Sequence, residues 1–292
     1  MNIQSLSIVV PTKGCINQCK FCVSRMHKEE YLDRISENYA STREQYKTRM
    51  AFARDNGCNT VMLTGQGEPQ QNIEFLKHFG EMNSELSMPF RNIEIQTTGA
   101  KFNASLFITL HKIGVTTISI SVSCLNDDKI NSDIINNSHT PIYLKELCER
   151  IKYYGFNLRL SLNMTRWLFQ SSNPSYDDIF SYCKNALNAD QITFRKMYSD
   201  GSNTPQSIWI KENCLFSDNS WFKGLNKYII KNGRYLDTLE YGSKRYSINE
   251  MSVVVDEDCM AKGEDKSSLK YLILRPNCKL YTQWDDKGSL LF

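Results

Sequence analysis

The chain has 292 residues, 41% of them hydrophobic, which suffices for one large folded unit or one unit with an appendage. Its 35 basic and 32 acidic side chains leave a net charge of +3, a balance that does not demand nucleic acid as a partner. No apolar run approaches membrane-spanning length, and the run Ile8–Val10 is too short for a signal peptide, so the ten cysteines are expected as reduced thiols in a cytoplasm, not as a disulfide framework.

Taken in chain order, short segments rich in Val, Ile, Leu and Thr predict strands near 5–10, 59–64, 92–97, 116–122, 157–163 and 190–196. Helical patterns fill the intervals near 38–56, 72–86, 103–113, 141–154 and 176–187, and Gly57, Gly114 and Gly155 stand where helices should end. Strand and helix in alternation imply an α/β fold with a parallel sheet and right-handed crossovers. Six such units fall short of a closed eight-stranded barrel and suit an open one, a partial (β/α)6 barrel over 1–200. Past residue 200 the pattern changes: a turn-rich linker at 200–205, a helix near 218–231, and strands near 244–249, 251–256, 269–275 and 279–283. The expectation for 201–292 is a small α+β extension, a helix plus antiparallel strands capping the barrel edge or mouth. That segment holds Trp209, Trp221, Trp284 and the acidic pair Asp285-Asp286, which core packing and a solvated turn explain as well as substrate recognition does.

The first predicted strand leads into Gly14-Cys15-Ile16-Asn17-Gln18-Cys19-Lys20-Phe21-Cys22, a C-x3-C-x2-C spacing. Three thiolates on one short loop can ligate three irons of a cubic [4Fe-4S] cluster and leave the fourth open to another ligand. His27 lies close by, so a tetrahedral Cys3His zinc site is the competing reading. With Phe21 directly before the third cysteine, the motif resembles that of the radical S-adenosylmethionine (radical SAM) superfamily. The second predicted strand runs into Thr64-Gly65-Gln66-Gly67-Glu68-Pro69, similar to the family's Gly-Gly-Glu-Pro turn with Gln66 interposed. The resemblance, over roughly residues 5–200, implies that Cys15, Cys19 and Cys22 hold the cluster. It implies too that Phe21, Gln66, Gly67, Glu68, Thr97, Ser121, Asn163 and Arg195 line the S-adenosylmethionine site. In that reading Glu68 and its turn receive the SAM amino group, Thr97 its carboxylate, Asn163 the ribose or carboxylate, and the Arg195 region lines the adenine.

The implied chemistry is reductive cleavage of SAM to methionine and a 5′-deoxyadenosyl radical, which abstracts hydrogen from a small molecule or a peptide. A one-electron donor such as flavodoxin or ferredoxin would be the partner. Cys124, leaving the fourth strand at the functional rim, is a candidate hydrogen-atom donor, against the reading of a buried or rim-lining thiol. Cys58, Cys148 and Cys183 read as small buried hydrophobes, and Cys214, Cys259 and Cys278 lack the close spacing of a second cluster site. An RNA substrate is the runner-up, since Arg166, Arg195 and Lys196 would surround the mouth. Outside enzymes, a zinc-stabilised binding module or an iron–sulfur sensor remains open.

Overall fold

The computed structural model describes the chain apart from residues 1, 27–38, 136–140, 172–173, 217–218, 240–241, 257–267, 285–286 and 292. Six strands, β1 (Asn2–Val10), β2 (Thr60–Gly65), β3 (Asn92–Thr97), β4 (Thr117–Val122), β5 (Asn157–Asn163) and β6 (Gln191–Arg195), pair in parallel in chain order. Between them run α1 (Val23–Met26), α2 (Tyr39–Asp55), α3 (Ile73–Ser84), α4 (Ala104–Lys112), α5 (Asp128–Ile135), α6 (Leu144–Tyr153) and α7 (Tyr176–Ser181), the last continuing into a wide π-type turn at Tyr182–Ala186. Helix starts are set by short polar side chains: Asn72, Asn103 and Ser175 accept from the backbone N–H of Phe75, Leu106 and Asp178. The ends fall where expected, with Gly114 and Gly155 at φ 84° and 80°, a conformation that a side chain would strain.

Strand alternation creates two environments. In β4 and β5, Ile118, Ile120, Val122, Leu158, Leu160 and Leu162 join the main core beneath the helices. The alternate positions Ser119, Ser121, Ser161 and Asn163 face the opposite side and line a cleft. Deeper in the same lumen a second cavity holds an ion pair between Glu94 and Arg159, with Arg159 Nε donating to Gln191 Oε1 at 2.8 Å. The barrel interior is therefore polar, and the apolar core lies outside the sheet.

The C-terminal segment corrects one expectation. It supplies α8 (Pro205–Asn213), α9 (Ser220–Asn232), β7 (Arg234–Thr238), β8 (Lys244–Ile248), β9 (Met251–Asp256), β10 (Ser268–Leu274) and β11 (Leu280–Tyr281). The hairpins β8–β9 and β10–β11 form as expected, but not as one separate antiparallel sheet capping the barrel. β9 pairs parallel to β6 and β10 parallel to β1, giving one open sheet in the order β11-β10-β1-β2-β3-β4-β5-β6-β9-β8-β7. The physical reason is the unsatisfied backbone that β1 and β6 would otherwise present at the two edges of a six-stranded sheet. Helix α8, which the linker reading missed, opens on Thr204, whose hydroxyl accepts from Ser207 N–H, with Pro205 at the first helical position.

Candidate active site

The cysteine loop leaves the C-terminal end of β1 and is held from two sides. Gln71 Oε1 accepts from Ile16 N–H at 3.1 Å, its Nε2 donates to Gly14 O at 3.3 Å, and Asn72 Nδ2 donates to Pro11 O at 2.7 Å. On the far side, Gln18 and Lys20 N–H donate to Ile135 and Ile134 O of α5, each at 3.0 Å. The glycine turn after β2 fits under this loop: a Cβ on Gly67 would collide with Gly14 O and stand 2.6 Å from Thr12 Oγ1. Absence of a side chain at Gly67 thus serves the close approach of two protein loops.

Glu68 follows, 5% exposed, and its carboxylate is the centre of a hydrogen-bond network. Oε1 accepts from Asn17 Nδ2 at 2.7 Å and Thr98 Oγ1 at 2.9 Å. Oε2 accepts from Gln70 Nε2 at 2.9 Å and from the Thr97 hydroxyl, while Thr98 N–H lies 3.2 Å from Oε2 and 3.3 Å from Oε1. A carboxylate offers about four lone-pair sites, so these donors fill it. Glu68 here fastens the cysteine loop, through Asn17, to the end of β3. The Thr97 hydroxyl is spent on Glu68, although both residues line the cleft. Asn163, 2% exposed, donates from Nδ2 to Ser121 Oγ at 3.1 Å and Ser123 Oγ at 3.0 Å, which fixes its amide and leaves Oδ1 as the acceptor.

These elements converge on one cleft at the C-terminal ends of the strands. It collects Cys15, Cys19, Phe21 and Cys22 from the loop, and Gln66, Gly67 and Glu68 from the turn. Thr97, Ser121, Asn163 and Arg195 join them from the ends of β3 to β6. Thr64, Gln96, Thr98, Ser119 and Ser161 also line it; period-two spacing from Ser121 and Asn163 would have found the last two. Trp284 arrives from the far end of the chain with no local signal to announce it. Phe21 sits 6.2 Å from Trp209 of α8, in an apolar cluster with Met26, Ile210 and Cys214 that backs the cysteine loop.

The thiols are weak acids here. Desolvation of the sulfur raises all three, although the Cys15 residue itself is exposed, and at Cys19, pushed well above the ordinary thiol value, the neighbouring Cys22, Glu68 and Cys15 charges add to it. Among the described residues no three His, Cys, Asp or Glu side chains are already drawn together at metal-ligand spacing. The donor set nevertheless fits an iron–sulfur cluster: three soft sulfurs line one cleft, and ligation by a cationic core would displace their protons. His27, the fourth ligand of the zinc reading, lies outside the described residues, as do Cys259 and Asp285-Asp286.

Cys124 is placed differently from its expected role. Its residue is fully buried, it does not line the cleft, and burial pushes its thiol up to about 11. Cys58, Cys148 and Cys183 are buried in the main core as expected. Cys214 and Cys278 belong to different apolar clusters. Arg195 and Lys196 line the cleft, whereas the Arg166 guanidinium lies over the Trp167 ring at 4.3 Å.

The sequence model of the radical SAM superfamily matches residues 9–166, more than half of the chain. No curated relative matches the chain by sequence. Among solved structures the chain is similar to SuiB of Streptococcus suis bound to S-adenosylmethionine, at 17% identity and a TM-score of 0.58 over 96% of this chain and 60% of SuiB. The complex of SuiB with its precursor peptide SuiA gives 16% identity and 0.58, over 96% and 59%. Native anSMEcpe with bound AdoMet and the Cp18Cys peptide gives 12% identity and 0.56, over 98% and 75%. The chain thus spans about three fifths of the length of SuiB, and at these identities the likeness is one of fold. With the family match running from β1 through β5 and the cysteine loop, the chain belongs to the radical SAM superfamily, whose cofactors are a [4Fe-4S] cluster and S-adenosylmethionine.

Proposed function

We propose that the protein is a radical SAM enzyme that abstracts hydrogen from a peptide side chain or a small molecule, with electrons from a donor such as flavodoxin or ferredoxin. The observation that carries this reading is the convergence of Cys15, Cys19 and Cys22 with the Gly65–Glu68 turn and the polar ends of β3 to β6 in one cleft. When bound, the cofactor pair supplies a carbon-centred oxidant, and methionine and 5′-deoxyadenosine are the products left behind. The chain's own part is to bind and orient. The three thiols would hold the cluster, and the Gly65-Gln66-Gly67 turn lines the cleft beside them. Asn163 Oδ1 offers an acceptor, and Phe21, backed by Trp209, shields the loop from water.

A peptide substrate is supported by two relatives of like fold, SuiB bound to SuiA and anSMEcpe bound to Cp18Cys. RNA is less well supported, since only Arg195 and Lys196 of the three expected cations line the cleft. The test is anaerobic: the reconstituted protein with SAM, a reductant and candidate peptides should form 5′-deoxyadenosine, and Cys22→Ala should form none. Formation that survives loss of all three cysteines would sink the proposal.

A further inference from the structure

Beneath the cofactor cleft the sheet encloses a second cavity of about 280 Å³, and the two adjoin, since Gln96 and Arg195 line both. Arg159, Ser161 and Asn163 are successive inward positions of β5, so about 7 Å of strand separates Ser161 in the cleft from Arg159 in the cavity. The walls come from both flanks of the sheet: Lys270 from β10 on one, Arg245 and Ser252 from β8 and β9 on the other. Strands added to the six-stranded barrel therefore complete this chamber and supply two of its charges.

The lining is cationic. Glu94, 3% exposed, is the one carboxylate among the described lining residues, against Arg159, Arg195, Arg245 and Lys270. Glu94 is already matched within the wall: it pairs with Arg159 and accepts from Gln96 Nε2 at 3.1 Å, while Arg159 Nε and Nη2 donate to Gln191 Oε1 at 2.8 and 2.5 Å. Arg245 pairs with Asp237, which lies outside the lining. Lys270 is 7% exposed, with its ammonium 5.3 Å from the centre of the Tyr271 ring. An enclosed space with more cations than anions in its walls favours an anionic occupant, because the field is poorly screened there.

We propose that this chamber receives a carboxylate of the substrate, held by Lys270 from one wall and Arg195 from the other, so that a carbon a few atoms along reaches the cleft above. At about 280 Å³ the chamber stands at the small end of ligand sites, which suits a side chain or a short acid. A phosphate dianion would set two charges against Glu94, where a carboxylate sets one. The inference rests on the radical SAM reading above and names its substrate class: a free short-chain acid or the acidic side chain of a peptide, which share this chemistry.

Calorimetric titrations of the whole reconstituted protein, loaded with SAM and kept oxidised, separate the two sources. Glutarate is compared with glutaramide, and acetyl-Gly-Glu-Gly-amide with acetyl-Gly-Gln-Gly-amide. At least one acid should bind about tenfold or more tightly than its amide, glutarate if the source is a free acid and the glutamyl peptide if it is a side chain. Lys270→Met should abolish that preference. So should Gln191→Glu, which adds a carboxylate to the wall at an atom that Arg159 already holds. Lys112→Met, exposed on α4, should keep it. No binding of either acid, equal binding of acid and amide, tighter binding of inorganic phosphate, or a preference that survives either lining variant would each overturn the proposal. Formation of 5′-deoxyadenosine is read separately in the unaltered protein. A chain that cleaves SAM without preferring the acid loses this inference alone, and one that prefers the acid without cleaving SAM loses the radical SAM reading.

Discussion

Glu68 accepts from Asn17, Gln70, Thr97 and Thr98 at once, so a SAM ammonium would compete with four protein neighbours for its oxygens. Glu68→Gln should therefore act through the loop: an amide nitrogen would face donors, costing about 1–3 kcal/mol of stability. Denaturant unfolding together with iron content checks this. Unchanged stability and iron with only a raised KM for SAM would point to direct ligand contact instead. Gly67→Ala should leave the far-ultraviolet circular dichroism intact and lower bound iron, because the added methyl must move the Gly14 backbone. Cys124→Ser should leave product formation unchanged, since its thiol is buried outside the cleft; loss of product with normal SAM cleavage would restore it as a hydrogen donor. At this scale much was legible. Every expected cluster and SAM residue lines the cleft, because strand ends and a short-spaced cysteine loop are local patterns. What sequence hid was partnership: nothing local to Glu68 says that Asn17, 51 residues away, occupies its carboxylate.

The elements that brace the cysteine loop are the ones the sequence concealed. Asp127 caps α5, a helix absent from the predicted pattern, by accepting from Ile130 N–H at 2.9 Å, and α5 then takes two backbone bonds from the loop. Helix α8 was hidden because Thr204-Pro205 ends a Gly/Ser/Asn-rich run that reads as linker, although the same pair caps a helix. Its Trp209 meets Phe21 at 6.2 Å and stacks with Trp167 at 6.0 Å, so the C-terminal segment touches the cofactor loop. Trp209→Ala should cost about 1–3 kcal/mol, less than a fully buried aromatic because the residue is only partly buried. It should also speed cluster loss in air, followed by the decay of the iron–sulfur absorbance; an unchanged decay would mean that α8 does not shield the loop.

Across the whole molecule, the strand pattern predicted an open parallel barrel and the structure has one, extended by β9 and β10 beyond the six expected strands. The extension escaped sequence reading because pairing of 251–256 with β6 and 268–274 with β1 is set by which edges lie open, and hydrophobic periodicity carries no such information. One continuous sheet predicts one unfolding event. Leu272, fully buried on β10, should cost about 2–5 kcal/mol as Leu272→Ala, within a single denaturant transition. Two transitions would separate the C-terminal strands from the barrel.

The central claim is that three cysteines on one loop leave a cluster iron open to S-adenosylmethionine. It is tested most directly by electron paramagnetic resonance of the reduced, reconstituted protein with and without SAM labelled at its amino nitrogen. A cluster signal should appear whose g-values move on adding SAM, with hyperfine coupling to the label, both lost in Cys19→Ala. A cluster signal indifferent to SAM, or a chain that holds zinc and no iron, would contradict it.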